Sequence, residues 1–576
     1  MVPEAVFFSP PIDQPSKAVA HERASGVTER WALGCTVVAL VILRIIYAFV
    51  YRVDSDEPQH LHVVWGWAHG LLQYRDLFDN HSPLFQMLCA PLFRLVGEHA
   101  WIVVPMRLAM LPLFAADVWL MYLIGSALYV RRWGAWMALV GGCVPQFFLV
   151  TTEFRTDDLW TTVWLVAVWL AATGPLRGKR AWYFGLVVGT CFSVSMKTTL
   201  LLLAMSVAGL AIAALHGLSR RRPELLSALK SLGLIAAGIL VVPALIIAFF
   251  AAHGADALHQ MYYCVIQHNT LPGLGKWAKS GFHQWLFPLS IPMLLGLGWL
   301  CMHSSASASI GAGRAFILIT AGAYYFLLRS YWPLVTAQDF IPILPLVSLA
   351  VLPFFLHLLS LTGWPARVAV PAAALVLLAA ETAWIMRLQS PFDNEAGTFA
   401  QNLAIVLRIT DPGDMVMDGK GETIFRNRPT YWVMEGVTLR RIQMGLIPDD
   451  VRASIIRTGT CVAVNHRLRP EDQDWLHENF IECDGKVWIA GKLLGPARPA
   501  LSFHTDIPGK FSIVSDTGAA VSGQLDGEPL QAAQQIPAGD HQLRVTGEGG
   551  SLAIVWSQAL ERGFDPFTRT IAGFTE

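Results

Sequence analysis

The sequence predicts a polytopic α-helical membrane protein with about eleven transmembrane helices, followed by C-terminal extracytoplasmic α/β and β-sandwich domains. Composition is the first observation: 54% of the 576 residues are hydrophobic and only 15% charged, where a soluble chain carries roughly 25% charged residues. Distribution is the second. Long apolar runs fill 32–387, while 390–576 has the mixed texture of a soluble chain. Loop charge, taken up below, is the third. A net charge of zero offers no electrostatic footprint for a nucleic acid, so none is expected as a partner. The eight cysteines show no metal-ligand spacing; Cys461 and Cys483 stand in the polar tail and could pair if that tail is extracytoplasmic.

Residues 1–30 lack a basic start and a continuous apolar run, and proline interrupts them repeatedly. They read as a cytoplasmic leader rather than a signal peptide. Domain 31–389 follows. Segments with the roughly 20 apolar residues needed to cross a bilayer, or nearly so, lie near 32–51, 102–130, 134–152, 159–174, 182–196, 199–217, 227–252, 285–302, 314–329, 340–359 and 367–387. With the N-terminus inside, the cytoplasmic loops hold Arg131, Arg132, Arg177, Lys179, Arg180, Arg220, Arg221, Arg222, Arg314 and Arg367. The outer loops hold Asp54, Asp56, Glu57, Asp76 and Asp79. That asymmetry is the positive-inside bias, and an odd number of crossings places the tail outside.

In the tail, 390–498 alternates helical and strand-like runs, one strand ending at Asp418-Gly419, as an α/β domain does. Residues 499–576 hold short alternating runs punctuated by Gly and Pro, which predicts a small β-sandwich.

The first outer loop, 52–100, is the most informative stretch. Asp54, Asp56 and Glu57 follow the first span within a few residues. A carboxylate shielded by lipid and protein can serve as a base, although acids at a helix end are more often simply solvated. An amphipathic segment with Trp65 and Trp67 comes next, suited to an in-plane helix at the membrane interface. YRDLFDNHSPLF then turns the chain back.

This arrangement resembles the GT-C glycosyltransferases, in the branch containing protein O-mannosyltransferases and lipid A aminoarabinose transferase. Asp56-Glu57 matches that family's acidic pair after the first helix, and Ser82-Pro83-Leu84 its turn into the second, with His81 where many members carry a basic residue. TTEFRTDDLWTTVWL resembles the acidic segment before the fourth helix, SVSMKTTLLLL the helix break with its lysine, and QDFIPILPLVSL a late proline-rich helix. Two positions depart: Gln338-Asp339 replaces a frequent Arg-Tyr, and Gln59 stands where relatives place Arg or His.

The resemblance implies an inverting transfer of a sugar from a polyprenyl-phosphate donor, held in the lipid bilayer, to a hydroxyl of a glycan, lipid or protein acceptor. Asp56 is then the general base and Glu57 positions it or the acceptor, with Asp157 and Asp158 on the same side of the membrane. Adjacent residues on a helix point different ways, so only one of that second pair can face the reaction. Arg155, Lys197, His81 and Arg75 are the candidate phosphate ligands, Arg by its bidentate fork and Lys as a point charge. Lys197, between two apolar halves, equally suits snorkelling to headgroups. His62, Tyr74, Glu153, His268 and Asn269 are candidate substrate contacts, the last two in an outer loop with Lys276 and Trp277 that could cover a carrier groove or form an interfacial belt. Asp56, Glu57 and Asp157 could give some ligands to a divalent cation, but no metal site is assigned.

Two other functions fit parts of the sequence. A transporter or lipid flippase would use many spans with buried charges, yet such folds show repeated halves with matching broken helices, and no such internal symmetry is visible. A non-catalytic assembly subunit would use the β-sandwich as its binding part. The expected location is the bacterial inner membrane, with the site facing the periplasm.

Overall fold

The computed structural model describes residues 27–572 except 216–221, 273–307, 333–334, 350–352, 354–365, 465 and 547–549. The expected span at 285–302, nearly half of that at 340–359, and the loop residues Lys276 and Trp277 lie outside the described residues.

The chain is a multi-pass membrane protein. Five described helices are long and apolar enough to cross a bilayer: Glu29–Val50, Val103–Leu128, Leu226–Ala252, Ile310–Tyr331 and Val368–Leu388. The first belongs to α1 (Val27–Val50), about 36 Å long at 1.5 Å per residue. Between it and the second lie α2 (Asp56–Ala68) and α3 (Leu84–Val96). The crossing that begins at Val103 divides into α4 (Val103–Leu108) and α5 (Leu111–Leu128).

Other expected spans are shorter or broken. The run at 134–152 becomes α6 (Arg131–Cys143) and α7 (Pro145–Val150), because Pro145 cannot donate to the preceding turn. Next come α8 (Thr156–Ala172), α9 (Lys179–Val194) and α10 (Thr198–Leu215), the last two parted at the residues around Lys197. Then follow α11 (Arg222–Ala252), α12 (Ala255–Tyr262), α13 (Ala308–Tyr331) and α14 (Ala366–Leu388).

Helices α9 and α11 pack through glycine. A Cβ on Gly185 would stand 2.2 Å from the Ile235 carbonyl oxygen, and one on Gly189 2.3 Å from that of Ile239. Their four-residue spacing is the small-xxx-small pattern by which membrane helices approach closely. Arg44, fully buried on α1, donates 2.5 Å to the Phe148 carbonyl, 2.6 Å to Thr152 Oγ1, and to the Thr151 carbonyl. It thereby satisfies the carbonyl end of α7, where a cation also complements the helix dipole.

The C-terminal domain begins with α15 (Glu395–Ile409), whose first turn is capped by Asn394 accepting from Gly397 N at 2.8 Å. Strands β1 (Val416–Met417) and β2 (Val462–Val464) pair in parallel, with α16 (Gly436–Gln443) and α17 (Val451–Thr458) in the crossover. After α18 (Pro470–Asn479), β3 (Phe480–Cys483) and β4 (Val487–Pro496) pair as a hairpin. The remaining strands are β5 (Leu501–Thr505), β6 (Gly509–Ser515), β7 (Gly523–Leu525), β8 (Glu528–Pro529), β9 (Gln534–Ile536), β10 (Gly539–Val545), β11 (Ser551–Trp556) and a separate antiparallel pair, β12 (Phe564–Asp565) and β13 (Thr570–Ile571). One sheet runs β1-β2-β4-β11-β6-β9 with β3 on β4, and a second runs β5-β10-β7-β8. The larger sheet therefore continues across residue 498, where the sequence suggests a division, because β11 pairs with both β4 and β6.

Successive strand residues feed opposite faces. Met417, Ala463, Trp488 and Ile554 enter one core and Val416, Val462, Ile489 and Val555 the other. Cys461 belongs to the first and Cys483 to the second, and both are buried free thiols. A disulfide between them would have to cross the sheet. Leu403, Ile424 and Phe425 are buried together with the core of the helix bundle, which seats this domain on the bundle over α2.

Candidate active site

The acidic pair at the start of α2 divides its work. Glu57 is fully buried and takes a two-pronged contact from Arg107 on α4, Nε to Oε1 at 2.7 Å and Nη2 to Oε2 at 2.6 Å. Its Oε1 also accepts from Phe154 N at 2.8 Å. Arg107 spends its remaining donors on carbonyls ending α1, Tyr51 at 2.8 Å and Arg52 at 2.7 Å. Glu57 thus ties the first loop to α4 and to the segment preceding α8, with both carboxylate oxygens engaged as acceptors.

Asp56 points the other way, into a cluster built on Arg155. That guanidinium meets Asp56 at 2.5 Å, Asp54 at 2.8 Å, Glu153 at 3.0 Å and Asp157 at 3.4 Å. Among those four carboxylates Asp56 is the most exposed, at 24% of its side chain against 14%, 1% and 7% for the others. Its Oδ1 is met by Lys420, which also stands 3.5 Å from Glu435. Burial alone would raise the Asp56 carboxyl, but Lys420 and Arg155 outweigh it and hold the group well below the usual carboxylate range. Burial pushes Glu153 up to about 8 despite Arg155.

Lys420 arrives on a tight loop. Asp418, fully buried, accepts from Gly421 N at 2.6 Å and from Thr423 N at 2.9 Å, an Asx-type turn that presents the intervening lysine. Gly421 has φ +81°, and a Cβ there would lie 2.9 Å from His62 Cβ on α2. Glycine permits that approach. His62 is buried and its Nδ1 lies 2.8 Å from the Ile424 carbonyl, so it holds the tail domain on the first loop. Trp65 also packs inward, donating to Glu98 at 3.0 Å; the tail domain covers the face of α2 that amphipathicity assigns to the interface.

The turn before α3 forms a second polar group. Asp79, fully buried, takes Gln73 Nε2 at 2.8 Å and lies 2.7 Å from His81 Nδ1. Burial would lower His81, but the Asp79 carboxylate outweighs it and raises the imidazole. Tyr74, at φ 73°, donates to the His81 carbonyl at 2.5 Å. Arg75 is 46% exposed and pairs with Asp76 at 2.8 Å.

Asp157 and Asp158 do separate, as their adjacency requires: Asp157 contacts Arg155, while the charged groups acting most on Asp158 are Arg44 and Asp117. Lys197 sits at the α9–α10 break and pairs with Asp339, the acid standing where the resembled family often has Arg-Tyr. Trp160 and Trp332 flank its ammonium, each ring centroid 5.9 Å away. His268 is buried against Trp432, with Nε2 2.8 Å from Arg441 Nη1, and burial lowers it to about 4. Asn269 is exposed and donates 2.9 Å to the Val265 carbonyl. Neither reaches the carboxylate cluster. Asp56, Glu57 and Asp157 do not converge on a cation position, since Glu57 turns to Arg107 and the other two to Arg155.

Sequence reasoning missed Arg107, His60 and above all Lys420. The DGKGET run after a predicted strand was the available signal for the last. A cavity of about 270 Å³ lies beside the acidic segment, lined in part by Asp54, Ser55, Asn402, Glu422, Arg467 and Lys486.

Residues 80–247 match the family model described as dolichyl-phosphate-mannose-protein mannosyltransferase. No curated protein sequence matches. Among solved structures the chain is similar to ArnT from Cupriavidus metallidurans bound to undecaprenyl phosphate, at TM-score 0.53 and 10% identity over 79% of this chain and 97% of ArnT. The apo state of ArnT gives TM-score 0.54 and 12% identity over 81% and 98%. An oligosaccharyltransferase from Archaeoglobus fulgidus in the apo form reaches TM-score 0.45 at 12% identity, over 88% of this chain and 76% of that one. At such identities it is the fold alone that is shared, and over four fifths of its length this multi-pass chain has the fold of ArnT.

Proposed function

We propose that this protein is an inverting glycosyltransferase that moves a sugar from a polyprenyl-phosphate donor to a hydroxyl of a glycan, lipid or protein acceptor at the outer face of the membrane. The observation that carries this is the accessibility of Asp56, the most exposed of the four carboxylates around Arg155. An acceptor oxygen attacks the anomeric carbon as the bond from that carbon to the phosphate oxygen breaks. Asp56 takes the hydroxyl proton, and the phosphate departs on its carrier. A phosphate monoester with a second pKa near 6 leaves without a general acid, so the protein's task is to hold its charge. Lys197, with its side chain 22% exposed, is the partly open cation for this. Arg155 already satisfies four carboxylates, so its part is to aim Asp56 rather than to bind phosphate.

The bound carrier in the similar ArnT structure supports a polyprenyl phosphate as the donor here, and the cavity beside Asp54 offers an acceptor a path to Asp56. The test is incubation of the purified protein with a radiolabelled polyprenyl-phosphate sugar and candidate acceptors. Free carrier phosphate and an inverted glycosidic bond are expected. Retained configuration, or carrier movement across vesicles with no bond formed, would overturn the proposal.

A further inference from the structure

His60, Asp79 and His81 bring three potential ligand atoms within 4.8 Å of one another. His60 rides on α2, fully buried, its ring edge-on to that of His81 at a centroid separation of 4.7 Å. Asp79 is fixed by three glutamine amides, Gln73 at 2.8 Å, Gln86 at 3.2 Å and Gln59 at 3.4 Å. His81 closes the group at 2.7 Å from Asp79.

Two features separate this from an ordinary buried His–Asp pair. Both ring nitrogens of His60 are buried and without a hydrogen-bond partner, a rare condition that an ion or water commonly resolves. The glutamines around Asp79 form the kind of outer shell that orients a ligating carboxylate.

We propose that His60, Asp79 and His81 bind one divalent transition-metal ion, zinc by preference, through two imidazole nitrogens and one carboxylate oxygen. The fourth position opens on the side where His81 is exposed. Two imidazoles, one carboxylate and an open position form a donor set of catalytic zinc, and imidazole favours zinc or cobalt over magnesium or calcium. Tetrahedral ligands at 2.0–2.1 Å from zinc lie roughly 3.3 Å apart, so the widest pair here closes by roughly 1.5 Å, within reach of ring rotation. Asp56 is not a ligand, and the site stands whether or not the chain transfers a sugar.

The test uses full-length, untagged protein in detergent, stripped with a chelator and dialysed against Co²⁺. One Co²⁺ per chain by elemental mass spectrometry, with the visible absorption of a four-coordinate ion, is expected. His81→Gln, at a partly exposed position, should weaken binding at least tenfold and abolish that absorption while the metal-free protein stays folded by circular dichroism. Gln73→Ala, which leaves all three ligands, should weaken it by about 10-fold or more. Asp56→Asn should keep the ion. Wild-type protein that binds no Co²⁺, or His81→Gln binding it as wild type does, would overturn the assignment.

Discussion

Lys420 places its ammonium on the Asp56 carboxylate across 364 positions of sequence. One residue belongs to the soluble-looking tail and the other to the first loop after α1, so the tail domain is built into the candidate active site. The ionisation of Asp56 depends on that contact.

Replacing Lys420 therefore has a defined effect on pH dependence. The base works as carboxylate, which is present above its pKa, and Lys420 and Arg155 hold that pKa well below the usual range. Lys420→Met removes one of the two opposing cations and raises it, so the acid limb of the pH profile of kcat/KM should move to higher pH. An unmoved acid limb would mean that Asp56 is not the titrating base.

Asp56→Asn should lower transfer by about 10²- to 10⁴-fold, the range expected for losing a positioned base. Folding should survive, because Arg155 keeps three other carboxylates and Lys420 keeps Glu435. Single-turnover release of carrier phosphate, read beside a thermal melt, checks both halves.

Glu57→Gln should behave in the opposite manner. It leaves Arg107 buried without its carboxylate, a loss of about 3 kcal/mol or more. The apparent melting temperature should fall by several degrees, far more than for Asp56→Asn.

Lys197→Met should weaken binding of a polyprenyl phosphate by about 10- to 100-fold, corresponding to one charge-assisted contact of roughly 1.5–3 kcal/mol. Lys197→Arg should recover part of it. Equal carrier affinity in all three proteins, measured by quenching of intrinsic tryptophan fluorescence, would remove Lys197 from the phosphate site.

Gly189→Leu should part α9 from α11, because a side chain there meets the Ile239 backbone. A loss of detergent-resistant folded protein in size-exclusion chromatography is expected, while Gly209→Leu, with nothing within 4 Å, should be tolerated.

Much of this was legible in the residues alone. Hydropathy separates bundle from tail, and Asp56, Glu57, Asp157 and Lys197 stand out because charge beside long apolar runs is costly to keep. Local motifs do not say which partner each charge takes. Glu57 and Asp56 are neighbours in sequence with opposite fates, one buried against Arg107 and the other partly open beside Arg155. Arg107 sits inside an apolar span, where nothing local connects it to Glu57, 50 positions away.

The sequence by itself determined the membrane class, the acidic first loop and the alternating strands of the tail, because hydrophobic burial and strand periodicity are written residue by residue. Only the tertiary structure decided that the tail sits on α2, that Lys420 caps Asp56 and that His60 meets Asp79 and His81. Those contacts join distant segments, and their electrostatics depend on distance and burial, which no local pattern encodes.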